Sequence, residues 1–261
     1  MLKPRIIPSL LIHKGGLVKT FQFKNSKYIG DPLNAVRIFN EKLVDEIIIL
    51  DIDKTVKREE PNYSLIEKIA RECRMPLCYG GGIKKISQVE KLVSLGVEKV
   101  SISSVALEDP NFINEAVKQV GSQSIVICLD IKRTGLLGYN YSIFTHNSTY
   151  KREIEPFKFI DLLQEYGAGE ILINMIDRDG MQKGYDLEFI EKVKQNVSIP
   201  LSVLGGASSY RDFEELISRF GIIGCSAGSI FVLKGKYKAV LIQYPNSNEK
   251  EKIMRNFFLK N

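Results

Sequence analysis

The feature that most constrains the fold is a repeat inside the chain. Pro76-Leu77 returns as Pro200-Leu201, Gly81-Gly82 as Gly205-Gly206, Gly96 as Gly221 and Ser104 as Ser229. Asp51 of Leu-Asp-Ile-Asp returns as Asp177 of Ile-Asp-Arg-Asp, so that all five matches fall at one offset of about 125 residues. Eight short β-branched apolar runs lie near 5–12, 46–52, 76–79, 99–103, 124–131, 170–176, 200–204 and 222–226. Segments of helical spacing lie between them at 32–44, 63–73, 87–95, 111–120, 156–166, 187–195 and 210–220. A strand that is apolar almost throughout is one covered on both faces, and strands alternating with helices make a parallel sheet with crossover helices. Two similar halves, about 1–120 and 121–261, each with four such strands, predict an α/β chain. Its fold is a single (β/α)8 TIM barrel spanning 1–261. The duplication implies two copies of each local site.

Composition narrows the function. The chain is 44% hydrophobic and 26% charged, which is ordinary for a globular protein able to bury a core without disulfide staples. Its net charge of +6, from 37 basic and 31 acidic residues, is dispersed. That favours anionic ligands generally but is no nucleic-acid footprint. Apolar stretches such as 47–50 fall far short of the roughly 18 residues that span a bilayer, and 1–8 has no signal-peptide core. A cytoplasmic protein with neither membrane nor nucleic-acid partner is expected. The four cysteines form no CxxC pair and only His13 and His146 are present, so no metal site is expected, and no cofactor motif occurs. Cys78 and Cys128 read as barrel packing, and His146 as a solvated loop residue.

The duplicated glycines follow the third and seventh strands, and the next strand of each half ends in Ser103-Ser104 or Gly228-Ser229. Glycines let backbone N–H groups approach an anion and hydroxyls add donors, so each half carries a phosphate cradle. Two cradles predict a ligand with two phosphates across the mouth. Asp51, Asp53, Asp130, Asp177 and Asp179 also fall at strand ends facing the mouth, where carboxylates either move protons or cap turns. Asp130 closes the apolar run Ile125-Val-Ile-Cys-Leu-Asp and should point into the pocket. The two longest strand-to-helix connections, 13–30 and 134–155, read as mobile lid loops. At the opposite ends of the strands Arg5, Glu46, Lys99 and Glu170 each open an apolar run. Such a ring either stabilises the barrel floor or gates it.

The stretches Arg5-Ile-Ile-Pro-Ser-Leu, Val18-Lys19…Gln22-Phe23-Lys24-Asn25…Gly30-Asp31-Pro32, Leu50-Asp51-Ile52, Gly80-Gly-Gly-Ile83, Lys99-Val-Ser-Ile, Gly167-Ala-Gly-Glu-Ile and Ile176-Asp-Arg-Asp-Gly180 span nearly the whole chain. Together they resemble the cyclase subunit of imidazole glycerol phosphate synthase. The resemblance implies a (β/α)8 barrel forming a heterodimer with a glutaminase subunit docked on its floor. Ammonia would enter past a charged ring matching Arg5, Glu46, Lys99 and Glu170. By the same resemblance Gly82, Ser103 and Ser104 match one phosphate site, with two serines where the family usually has Asn and Thr. Asp179, Gly180, Gly206, Gly228 and Ser229 match the other site, and Asp51 and Asn174 match substrate-contacting positions. Lys19 matches a loop lysine that closes over substrate, and Asp130 matches one of two catalytic aspartates.

The second catalytic aspartate falls at Leu11, and the repeat shows the same gap: Ser9-Leu10-Leu11-Ile12 lies against Cys128-Leu129-Asp130-Ile131. A leucine neither accepts nor donates a proton, and loss of such a group lowers a rate by about 10²- to 10⁴-fold. Leu10-Leu11 beside an unaltered ring resembles the divergent cyclase-like subunits that accompany a glutaminase and a sugar amidotransferase in making acetamidino sugars of surface polysaccharides. The expected function is therefore ammonia delivery for amidation of a sugar, with a phosphorylated small molecule as ligand. Two alternatives stay open: a working cyclase of histidine biosynthesis in which Asp53 or His13 substitutes for the missing acid, and a scaffold that only activates a glutaminase.

Overall fold

The computed structural model describes residues 3–135 and 140–258. Eight parallel strands form its centre: β1 Arg5–His13, β2 Ile47–Asp51, β3 Leu77–Gly80, β4 Lys99–Ile102, β5 Ile125–Thr134, β6 Glu170–Met175, β7 Leu201–Leu204 and β8 Gly224–Ala227. Each pairs with the next, from Ser9 opposite Ile48 to Ser202 opposite Gly224. Pairing of Arg5 with Gly224 joins β8 back to β1, so the sheet is a closed (β/α)8 barrel. Around it stand α1 Pro32–Glu41, α2 Tyr63–Glu72, α3 Ile86–Ser94, α4 Asn111–Val120, α5 Pro156–Glu165, α6 Leu187–Asn196, α7 Tyr210–Phe220 and α8 Ser247–Phe258.

The period of two along each strand decides which core a side chain joins. On β1, Ile7 packs inside the barrel with Ile48, Val126, Leu172 and Leu204, whereas Ile6, Leu10 and Ile12 join the outer core shared with the helices. Helices are started where the chain supplies a cap. The Asp31 side chain accepts from Asn34 N at 2.9 Å just ahead of Pro32, and Glu155 accepts from Lys158 N at 2.7 Å just ahead of Pro156. The buried face of α1 is Ala35, Val36 and Phe39, and that of α7 is Phe213, Leu216 and Ile217. Burying each phenylalanine contributes about 2–3 kcal/mol.

Three differences from the sequence reading matter. The connections expected to be open loops at 13–30 and 134–155 carry β-ribbons. β1 runs on to His13 and turns through Lys14 (φ 50°) and Gly15 (φ 79°) into an antiparallel strand, Gly16–Phe21. That strand turns again at Gln22 (φ 51°) and Phe23 (φ 62°) into Lys24–Gly30. Consecutive left-handed residues are the geometry that matches strand twist in two-residue hairpins. On the other side β5 extends to Thr134 and pairs with Asn140–Thr145; positions 136–139 of this connection lie outside the described residues. The first helix stops at Glu41 rather than 44, because Leu43 takes φ 52° and turns the chain towards the floor. The last helix, α8, was not anticipated, since among its described side chains only Ile253, Met254 and Phe257 are buried, in a stretch rich in Lys, Glu and Asn. Among the described residues no helix is long and apolar enough to cross a membrane.

Candidate functional site

The barrel floor is sealed by charge. Inward-pointing positions at the starts of β1, β2, β4 and β6 bring Arg5, Glu46, Lys99 and Glu170 together. The Arg5 guanidinium donates to Glu46 and, at 2.7 Å, to Glu170 Oε1. Lys99 Nζ donates to Glu46 Oε2 and to Glu170 Oε2, each at 2.8 Å. Burial pushes the Glu170 carboxyl up, but Arg5 and Lys99 outweigh it and hold the group well below the ordinary carboxylate range. Ser202, which sequence reasoning missed, completes the ring: its hydroxyl donates to Glu170 and accepts from Arg5 Nη2 at 3.3 Å. The alternation Leu201-Ser202-Val203-Leu204, with Leu204 inside, was the available signal. Gly224 on β8 leaves room for it, since a Cβ there would lie 1.9 Å from Ser202 Oγ.

Above the inner apolar layer the mouth opens into a cavity of about 470 Å³. Its walls gather Leu11, Lys19, Asp51, Gly82, Ser103, Ser104, Asp130, Asn174, Asp179 and Gly228, drawn from both halves of the chain. Ser103 and Gly228 occupy equivalent junctions, each ending a strand and preceding a short helix, Ser104–Glu108 or Ser229–Val232. Gly180, Gly206 and Ser229 line a separate crevice of about 10 Å³ beside the cavity, shared with Lys19, Asp179 and Gly228. Gly82 (φ 74°) and Gly206 (φ 118°) need their glycines, because a Cβ would approach Glu59 O to 2.6 Å or Gly184 O to 2.1 Å.

The five strand-end carboxylates divide by surroundings. Asp53 accepts from His13 Nδ1 at 2.6 Å, Lys14 N at 2.8 Å and Lys57 Nζ at 3.0 Å. Burial pushes its pKa up, but these three donors prevail and lower it. Asp177 accepts from Arg133 N at 2.6 Å. Neither these two acids nor His13 lines the cavity. Asp179 faces it but accepts from Lys19 Nζ at 2.5 Å and Thr20 Oγ1 at 2.8 Å. Asp51 is raised by burial, against the Asp53 N–H that donates to it at 3.1 Å. Burial pushes Asp130 up to about 7, opposed by the amide of Asn174, which donates to it at 2.9 Å, and reinforced by the nearby Asp179 carboxylate. A carboxyl titrating near neutrality inside a cleft is suited to proton transfer.

Leu11 sits in the cavity wall on β1, four strands around the ring from Asp130 on β5, and presents only methyl groups. Ser9 Oγ, Asn174 Oδ1 and Ser229 Oγ are buried without hydrogen-bond partners among the described residues, on residues that line the cavity or the crevice beside it. His146, read from sequence as solvated, lines the cavity from the β5 ribbon. It begins a left-handed run (φ 53°, 55° and 65° at 146–148) that Asn147 Nδ2 pins to Ile52 O at 2.9 Å. Arg58 and Lys84, also missed, reach the rim beside Gly82.

A (β/α)8 barrel with a polar mouth flanked by glycine junctions carries a candidate small-molecule site at the strand C-termini, the end at which barrels of this fold keep their chemistry. The chain belongs to the histidine biosynthesis protein family, whose model matches residues 5–238. It is a HisF-like cyclase subunit of the imidazole glycerol phosphate synthase type. It is 54% identical over 251 residues to a protein of Leptospira interrogans named as a candidate imidazole glycerol phosphate synthase subunit HisF, covering 96% of this chain and 98% of that one. It is 52% identical over 254 residues to a protein of Vibrio vulnificus strain YJ016, named as a candidate subunit hisF3 of the same synthase, covering 97% of each. Against the imidazole glycerol phosphate synthase subunit HisF of Petrotoga mobilis it is 35% identical over 231 residues, covering 88% of this chain and 91% of that one.

Proposed function

We propose that this chain receives ammonia from a glutaminase docked on its floor and delivers it through the barrel for amidation of a sugar in surface polysaccharide biosynthesis, with weak histidine-pathway cyclase activity of its own. Leu11 carries the reading. The cavity retains Asp130, poised near neutrality, but the facing strand contributes no second proton-transfer group. The floor, by contrast, joins Arg5, Glu46, Lys99 and Glu170 through four ion pairs, which supports reading them as an ammonia gate. In this reading Lys99 swings aside to admit ammonia past Glu46 and Glu170. Asp51 and Asn174 hold ligand hydroxyls, Lys19 closes the mouth, and the cradle of Gly82, Ser103 and Ser104 takes a phosphate. Gly180, Gly206, Gly228 and Ser229, with Asp179, form the second cradle.

One observation favours the histidine-pathway cyclase instead. Asp51 faces the same cavity as Asp130 with its pKa raised by burial, so it is a second carboxyl able to exchange protons. Asp53 and His13 are not candidates for that role, being bonded to each other outside the cavity. Alanine scanning separates the readings: if Asp51→Ala abolishes ammonium-dependent cyclisation that the unaltered protein performs efficiently, the proposal fails.

A further inference from the structure

The net charge of +6 is dispersed along the sequence, but the fold collects it on one face. Segments 14–30 and 229–248 contain seven of the 37 basic residues and none of the 31 acidic ones, which leaves 30 basic against 31 acidic residues elsewhere. The two segments follow β1 and β8, which are neighbours in the closed barrel. The first forms the ribbon of Gly16–Phe21 and Lys24–Gly30, and the second a hairpin of Leu233–Lys234 with Ala239–Val240. Lys27 Nζ donates to Lys238 O at 2.7 Å, and Lys238 Nζ lies 4.3 Å from the centre of the Phe21 ring. Ribbon and hairpin therefore join in one surface. It stands at the rim of the mouth, since Lys19, Thr20 and Phe23 of the same ribbon line the cavity.

That surface is open and carries one sign of charge. Lys19 is neutralised by Asp179, but among the described residues none of Lys24, Lys27, Lys234, Lys236 and Lys238 forms an ion pair. Lys238 N donates to Gly235 O at 3.0 Å, and this turn places Lys236 and Tyr237 at the hairpin tip. Between the lysines stand Tyr28, 65% exposed, and Tyr237, 87% exposed, with Val240 and Leu241 exposed beside the hairpin. A tyrosine that buries so little of its ring contributes almost nothing to the fold.

We infer that this rim, with Lys24, Lys27, Lys234, Lys236, Lys238, Tyr28 and Tyr237, is a docking surface for an anionic lipid bilayer. Lysine ammonium groups are strongly hydrated, and lysine is depleted from the dry centre of protein interfaces. Clusters of about four to eight cationic side chains are instead drawn to anionic headgroups, and tyrosine settles at headgroup depth with its ring inward and its hydroxyl in water. A second copy of this chain would present the same charge and be repelled. Such a contact needs no membrane-crossing helix, so the short apolar stretches that argued against a membrane partner do not bear on it. Docking there turns the mouth towards the lipid. The floor of Arg5, Glu46, Lys99 and Glu170, at the opposite ends of the strands, stays free for a second subunit. The inference does not depend on ammonia delivery.

Flotation of the full chain with vesicles tests it. Vesicles of phosphatidylethanolamine and phosphatidylglycerol in about a 2:1 ratio should carry the protein at about 0.05 M salt and release it at about 0.5 M, as the Debye length shortens. Vesicles of phosphatidylcholine should not carry it. At roughly fivefold per lysine, the triple variant Lys24→Ala/Lys234→Ala/Lys236→Ala should weaken partitioning about 100-fold. All three side chains are exposed, so this variant keeps the native melting temperature. The triple variant Lys68→Ala/Lys118→Ala/Lys158→Ala removes the same charge from exposed helix positions and should weaken partitioning by less than about threefold. The chain has no tryptophan, so Tyr237→Trp installs a single reporter whose emission should move to shorter wavelength on the anionic vesicles. The inference is overturned if the anionic vesicles bind no better than phosphatidylcholine, if the two triple variants lose affinity equally, or if the tryptophan emission of bound protein does not move. Soluble poly-glutamate supplies the last comparison: binding at least as tight as that of the vesicles would mark an acidic protein as the partner and likewise overturn the inference.

Discussion

Asp130→Asn isolates the proton that the cavity holds. In the folded protein burial raises this carboxyl from its ordinary 3.8 to about 7. At about 1.36 kcal/mol per pH unit, that interval corresponds to roughly 4 kcal/mol of penalty once the group is fully ionised. Because the native state keeps the proton to higher pH than the unfolded chain, the stabilisation is fully present below about pH 4 and is lost as pH rises through 7. Between pH 5 and pH 8 the unaltered protein should lose about 2–3 kcal/mol that the asparagine variant does not lose. Other effects of the substitution, including the changed bond to Asn174, are the same at both pH values and cancel in the difference. Urea unfolding followed by circular dichroism at pH 5 and pH 8 measures it. The variant's midpoint should gain about 1 M on the unaltered protein between the two conditions. If the difference between the proteins is the same at both pH values, Asp130 does not titrate near neutrality and its proposed role in proton transfer falls.

Other consequences follow from the floor and the cradle. In complex with its glutaminase, Lys99→Ala should release ammonia to solvent, so that more glutamine is hydrolysed than product formed; tight coupling in that variant would make the ring purely structural. Glu170→Gln should be less stable than the unaltered protein at pH 7. The gap should close as pH falls below about 4.5 towards 2, because a depressed carboxyl contributes above its unfolded pKa and loses that contribution on protonation, which acid titration of the melting temperature would show. Gly82→Val places a Cβ 2.6 Å from Glu59 O at a left-handed position, so phosphate binding measured by calorimetry should be lost with about 2 kcal/mol or more of stability.

The fold was legible because the repeat and the alternation of apolar runs with segments of helical spacing can be read from a single sequence. Arg5, Glu46, Lys99 and Glu170 could be assigned to the floor from their place at the start of apolar runs, and they meet there. Ser202 was not found, since an uncharged serine stands out from an apolar run less than Arg5, Glu46, Lys99 or Glu170 does, although it lies two residues before the inward Leu204. The Lys19–Asp179 contact joins residues 160 positions apart, and no local pattern announces a partner at that separation. For the same reason the carboxylates could not be sorted in advance: besides the neighbouring Lys57, Asp53 is satisfied by His13 at the end of β1, and Asp177 by the backbone N–H of Arg133 on β5, donors 40 and 44 positions away. The ribbons were hidden by polar strands such as Lys24–Gly30, which are half solvated and lack an apolar run.

The most direct test of the account compares the purified chain with Leu11→Asp, supplying the histidine-pathway bisphosphate substrate and excess ammonium and measuring imidazole glycerol phosphate. The account predicts little product from the unaltered protein and partial recovery in Leu11→Asp, as expected if the barrel lost one of two carboxylates and was redirected to ammonia delivery. Efficient turnover by the unaltered protein, with no gain in Leu11→Asp, would contradict it and make the chain a working cyclase.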